Sequence, residues 1–126
     1  MRLLTTGVDL ISISRVETAL ERHGNRFLER VFTADEVRYA RGRPAELAAR
    51  FAAKEAVAKA LGVGMRMMAP GGIRWREAEI VGDRWGKPLV RLSGRAAERA
   101  DELGLREWAV SLSHTDDHAL AFVVAQ

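Results

Sequence analysis

Residues 44–61, PAELAARFAAKEAVAKAL, constrain this chain more than any other stretch. They read as one long helix. Proline suits its first turn, and Gly62 suits the position just past its end. Ala48, Phe51 and Ala52 share one face, while Ala53, Val57 and Ala60 take the opposite side. A helix apolar nearly all round has to be covered on most sides, so the rest of the chain must wrap it. Yet Glu55 and Lys59 sit on that helix, four residues apart and on the face of Phe51. Buried charge is costly unless it is paired or bound to a metal. The plainer account is a surface ion pair worth about 0.2–0.5 kcal/mol, and spacing alone does not choose between the two.

The elements around this helix are short. Residues 3–9 read as a strand that ends at Asp9. A helix follows, with the capping-box pattern Ser14-Arg15-Val16-Glu17 placing its start near Ser14. Val16, Leu20 and Phe27 fall on one face of it, and Gly24 interrupts or ends its regular part. Thr33-Ala34-Asp35-Glu36 is a second capping box, opening a short helix to about Ala40, which the segment 42–44 breaks. Residues 62–72 form a loop with glycine and methionine. Residues 77–81 and 88–92 read as a hairpin, a helix runs from Ser93 to near Gly104, and 108–113 with 119–124 form a second hairpin. This order predicts a single domain over residues 1–126, of α+β class, with a mostly antiparallel sheet packed against the long central helix.

Composition limits the function. Hydrophobic content of 48% and charged content of 29% are those of a globular protein. The longest uncharged apolar stretch, 119–125, is far short of the roughly 20 residues that span a bilayer. The N-terminal residues do not have the pattern of a secretory signal, so a cytoplasmic location with no membrane partner is expected. Without cysteine there is no disulfide and no thiolate chemistry. The net charge of +3 is carried almost wholly by arginine, with lysine only at 54, 59 and 87. Arginine suits bidentate grip on carboxylates and phosphates.

Three further groups could carry chemistry. Asp9, in Gly7-Val8-Asp9-Leu10-Ile11, reads either as a turn residue after a strand or, if it meets Glu55 in space, as half of an all-oxygen site. Magnesium takes one or two carboxylates together with phosphate and water, whereas zinc prefers Cys and His. Arg15, Arg22 and Arg26 form a stripe on the first helix that contains Ala19. The stripe is either a solvated face or a dock for an acidic protein. Ser111-Leu112-Ser113-His114-Thr115 closes a strand. Neighbours on a strand point opposite ways, so Ser113 and His114 do not make a nucleophile pair.

Taken in order, Gly7-Val8-Asp9, Arg15-Val16-Glu17, Phe32-Thr33-Ala34-Asp35-Glu36, Arg50-Phe51-Ala52-Ala53-Lys54-Glu55-Ala56, Lys59-Ala60-Leu61-Gly62, Gly86-Lys87-Pro88 and Ser111-Leu112-Ser113-His114-Thr115 resemble the small bacterial 4′-phosphopantetheinyl transferases, the holo-acyl-carrier-protein synthase group. The resemblance spans nearly the whole chain. It implies the fold of that group and transfer of the 4′-phosphopantetheine arm of coenzyme A to a serine of apo acyl carrier protein. The other product is adenosine 3′,5′-bisphosphate, and the reaction supports fatty acid biosynthesis. It implies Mg2+ on Asp9 and Glu55 and Lys59 on the pyrophosphate. Beside the resemblance, Glu55 is read as the candidate to take the serine proton, directly or through a metal-bound water, with the water route favoured. Phe51, Gly62, Lys87, Pro88, His114 and Thr115 would line the coenzyme A cleft. Arg15, Arg22 and Arg26 would meet the acidic recognition helix of the carrier protein. The group implies a homotrimer with each site between two subunits. Residues 65–73 are longer and richer in methionine than the group's pattern, and their contact with the pantetheine arm is left open.

The rival reading is a non-enzymatic basic module binding an acidic protein or nucleic acid. An aromatic content of 6%, with few aromatics among the arginines, disfavours a base-stacking surface for nucleic acid. A Walker-type loop is also missing, which disfavours other magnesium phosphotransferases.

Overall fold

The computed structural model describes residues 3–65 and 71–126. The elements run β1 (Thr5–Ser12), α1 (Ile13–His23), α2 (Asn25–Val31), α3 (Ala34–Ala40), α4 (Pro44–Ala60), a 3-10 turn (Trp75–Glu77), β2 (Ala78–Gly82), β3 (Pro88–Leu92), α5 (Gly94–Leu103), β4 (Trp108–His114) and β5 (His118–Ala125). Strands β1, β5 and β4 make one antiparallel sheet in that order, and β2 and β3 make a separate hairpin. The α+β class, the long central helix and both hairpins are as expected.

Helix α4 lies across the three-stranded sheet, chiefly over β1 and β5. Its alanines at 48, 49, 52, 53, 56, 58 and 60 are buried. The sheet answers with small residues: Ala119, Ala121, Val123 and Ala125 of β5 face inward and are buried. The closest approach is at Gly7 of β1, where a Cβ would stand 1.9 Å from the Ala56 carbonyl oxygen. Thr5 Oγ1 donates to the Ala60 carbonyl at 2.8 Å and pins the strand along the helix. Large apolar residues of β1 and β5 point the other way: Val8 and Leu10 pair with Phe122 and Leu120 on the outer face, and all four are exposed.

Three expectations need correction. The first strand runs to Ser12, so Asp9 is interior to it and is no turn residue. Pairing with β5 holds the chain extended as far as Ser12–His118. For the same reason α1 starts at Ile13 with Ser12 as its N-cap, and the Ser14 capping box is not formed. Ser14 Oγ instead meets Ser12 Oγ at 2.8 Å. Finally, Gly24 (φ 51°) divides the first helix in two, so Phe27 and Arg26 belong to α2 and the arginine stripe spans both helices.

The second capping box is present, and it does more than cap. Glu36 accepts from the Thr33 N–H at 2.9 Å while Thr33 Oγ1 accepts from the Glu36 N–H. The same carboxylate accepts from Lys54 Nζ at 2.7 Å and from the Ile80 N–H at 3.0 Å. Lys54 is fully buried and spends its other donors on the Trp75 and Ala78 carbonyls. Burial lowers its pKa, with the Glu36 charge opposing that shift. One buried ion pair thus ties α3, α4, the 3-10 turn and β2 together. Residues 66–70 of the methionine-containing loop lie outside the described residues. Of its ends, Met65 is buried and bridges Ile73.

Candidate active site

Asp9 shares the helix-facing side of β1 with Gly7, two residues earlier. Glu55 directly precedes Ala56, which Gly7 touches. The close strand–helix crossing therefore carries the two carboxylates into one neighbourhood. The Glu55 carboxyl is pushed above its ordinary range, first by burial and then by the negative charge of Asp9. Lys59 and Arg15 pull it the other way. Two carboxylates close enough to repel, one of them half-buried, make a site that favours a cation. Lys59 Nζ lies 3.2 Å from Asp9 Oδ1 and donates to the Val8 carbonyl at 2.8 Å. The Lys59 side chain is only partly covered, 54% exposed. It is held at the edge of the site.

The donor set is hard and all-oxygen, which fits magnesium. Among the described residues no three His, Cys, Asp or Glu gather as a metal cluster. A cation on Asp9 and Glu55 would complete its coordination with water and substrate oxygens, as Mg2+ does beside phosphates. Phe51, one turn before Glu55, is half-buried and stacks on Trp75 with ring centroids 4.5 Å apart, while Phe27 lies 6.4 Å away on its other flank. The aromatic wall beside Glu55 was visible only in part: Phe51 was singled out, but Trp75 is 24 residues downstream and carried no local signal. Arg15, Arg22 and Arg26 are exposed, and Arg15 lies near enough to Glu55 to affect its proton affinity.

The remaining predicted residues form a different group. Lys87 and Pro88 line a cavity of about 290 Å³ with Tyr39, Glu46, Arg50 and Ser111. That cavity borders β4, which is separated from β1 by β5, a displacement of roughly 10 Å across two strand spacings. Within one chain, then, Lys87 and Pro88 stand apart from Asp9 and Glu55. Arg50 is the residue sequence reasoning missed here. It is 3% exposed, its guanidinium lies 4.2 Å from the Tyr39 ring centroid, and Nη1 donates to Glu46 Oε2 at 2.9 Å. Its Nε is buried with no partner.

His114 and Thr115 lie at the end of β4, both exposed. His114 Nδ1 is 3.2 Å from the Thr115 carbonyl oxygen. The Thr115 hydroxyl accepts from the Asp117 and His118 N–H groups and so shapes the turn. Gly62 holds φ 70° just past α4, where a side chain would be strained. A cavity of about 550 Å³ between Arg30 and the 3-10 turn takes in none of Asp9, Glu55 or Lys59. Size alone does not select it.

The sequence model of the 4′-phosphopantetheinyl transferase superfamily matches residues 5–123. The chain belongs to that superfamily. Its relatives include a holo-[acyl-carrier-protein] synthase of Herpetosiphon aurantiacus, 53% identical over 97% of this chain and 98% of that protein. Another, of Moorella thermoacetica, is 52% identical over 98% of this chain and 92% of that protein. The holo-[acyl-carrier-protein] synthase of Helicobacter pylori, solved in complex with coenzyme A, superposes with a TM-score of 0.85 at 30% identity, covering 96% of this chain and 99% of that one. The Neisseria meningitidis enzyme gives a TM-score of 0.83 at 34% identity over 97% of each chain. The family's fold is thus this chain's fold over 96–97% of its length.

Proposed function

We propose that this chain is a holo-[acyl-carrier-protein] synthase, transferring 4′-phosphopantetheine from coenzyme A to a serine of apo acyl carrier protein. The observation that carries the reading is the convergence of Asp9, Glu55 and Lys59 at the β1–α4 crossing, in a chain of this superfamily. In the reaction the serine oxygen forms a bond to the β-phosphorus of coenzyme A. The bond from that phosphorus to the bridging oxygen breaks, and adenosine 3′,5′-bisphosphate leaves with the electron pair.

Such transfers depend mainly on positioning and on charge stabilisation. Asp9 and Glu55 would hold Mg2+, which when bound neutralises the pyrophosphate and makes its phosphorus more open to attack. Lys59, anchored by the Val8 carbonyl and by Asp9, places a flexible ammonium where charge grows on the leaving oxygen. A preorganised contact of that kind is worth about 3–4 kcal/mol. Glu55 would receive the serine proton relayed through a water. Arg15, Arg22 and Arg26 would dock the acidic recognition helix of the carrier protein, and Arg15 would bring that helix beside Glu55.

The cavity at Lys87 and Pro88 suits the anionic end of coenzyme A. Arg50 and Lys87 both line it, and their positive charges would face a phosphate. His114, Thr115, Phe51 and Gly62 complete the proposed cleft. Because the Lys87 cavity borders β4 while Asp9 lies on β1, at the opposite edge of the three-stranded sheet, the two halves of the site are best joined between copies. The exposed face of Val8, Leu10, Leu120 and Phe122 supplies an apolar surface for a homotrimer. No described helix is long and apolar enough to cross a membrane, in keeping with a cytoplasmic role in fatty acid biosynthesis.

The test is release of adenosine 3′,5′-bisphosphate from coenzyme A. It should require carrier protein and Mg2+ together and should vanish in Asp9→Ala and Glu55→Ala proteins that keep their circular dichroism. Full turnover by either variant would remove the metal assignment.

A further inference from the structure

Trp85 is 80% exposed, more than any other large apolar residue described. It stands at the tip of the β2–β3 hairpin, in the turn 82–87. That turn is built to hold its backbone still. The Asp83 N–H donates to the Lys87 carbonyl and the Gly86 N–H to the Asp83 carbonyl, both at 2.9 Å. Asp83 Oδ1 accepts from the Trp85 N–H at 2.8 Å and from the Lys87 N–H at 2.9 Å. Gly86 takes φ 83°, which the tight return requires. The Asp83 carboxylate is thus committed to the backbone, and the charges the turn presents outward are those of Arg84 and Lys87. The Arg84 guanidinium lies 4.7 Å from the Trp85 ring centroid.

An indole kept in water on a rigid turn, with a guanidinium on it and an ammonium two residues on, has the makings of a nucleotide platform. A flat ring stacks on any base, and cations beside it take the phosphates. The turn runs directly into Gly86, Lys87 and Pro88, which line a cavity together with Arg50. We infer that Trp85, backed by Arg84, stacks on the purine base of coenzyme A whose phosphates lie in that cavity. This rests on the coenzyme A reading given above. It adds a residue that sets the donor's affinity through the base and not through the phosphates.

The experiment pairs binding with kinetics. Adenosine 3′,5′-bisphosphate should quench the tryptophan fluorescence of the intact protein, whereas inorganic pyrophosphate, which has no base, should not. The quench should vanish in Trp85→Ala, with Trp75 and Trp108 left as an internal background. The same variant should raise the KM for coenzyme A roughly 5- to 150-fold, the range expected for loss of one base–aromatic stack. The KM for carrier protein should hold, and Trp85→Phe should recover most of the loss. An unchanged KM for coenzyme A together with unchanged bisphosphate affinity in Trp85→Ala would overturn the inference. A variant that altered only the sedimentation coefficient would overturn it too, placing Trp85 between copies of the chain. Transfer with a normal KM in Trp85→Ala sinks the platform and leaves the reaction standing. A Trp85-dependent quench in a protein that transfers nothing keeps the platform and sinks the reaction.

Discussion

Burial and the Asp9 carboxylate both hold the Glu55 carboxyl above its ordinary value of 4.5. The folded protein therefore binds that proton more tightly than the unfolded chain does. Without a divalent cation, this group costs stability once it ionises. Stability should fall as pH rises from 4.5 through the raised value and level off above it. Thermal melts of the metal-free protein across that interval should show the fall, and Glu55→Gln should remove it and melt no lower than the wild type at pH 7. A pH dependence identical in the two proteins would contradict the proximity of the acids. Mg2+ should stabilise the wild type at pH 7 and leave Glu55→Gln nearly unmoved. Some of this chemistry was legible at the residue scale. Glu55 stood out because a carboxylate on a helix apolar all round needs an explanation. The buried Lys54–Glu36 pair did not, because the partners are 18 positions apart in different helices and only packing brings them together.

At the scale of elements, the β1–α4 crossing is what brings Asp9 and Glu55 together. Gly7 permits it: any Cβ there would overlap the Ala56 carbonyl. Gly7→Ala has to push strand and helix apart, at about 1–3 kcal/mol of overpacking, and would separate Asp9 from Glu55. Denaturant melts should show a loss of that size, and the Mg2+ concentration for half-maximal turnover should rise several-fold. A variant that is less stable but keeps its Mg2+ response would detach the crossing from the site. Periodicity and capping signals fixed most elements to within a few residues. The two capping boxes show where that reasoning ends. Thr33 caps α3 because the segment before it is free to take the cap geometry, whereas Ser14 was overruled by β1, whose pairing with β5 holds the chain extended to Ser12. A strand's end is set by its partner, and that partner lies over a hundred residues away in the chain.

For the whole molecule, β5 turns its alanines inward and Leu120 and Phe122 outward. Small inward residues let α4 settle close to the sheet, and the large outward ones leave an apolar face that one chain does not cover. If that face closes the proposed homotrimer, the wild type should sediment as a trimer and Phe122→Arg as a monomer, with transfer cut sharply although Asp9 and Glu55 are untouched. A monomer with full activity would show that one chain holds a complete site. The separation of Lys87 from Asp9 was beyond reach of the sequence, which gives no strand order. The most direct measurement of the central claim is the intact mass of apo acyl carrier protein after incubation with this protein, coenzyme A and Mg2+. A gain of one phosphopantetheine on one serine is expected, lost on chelation and with Asp9→Ala. Carrier protein left at its apo mass by the wild type would contradict it.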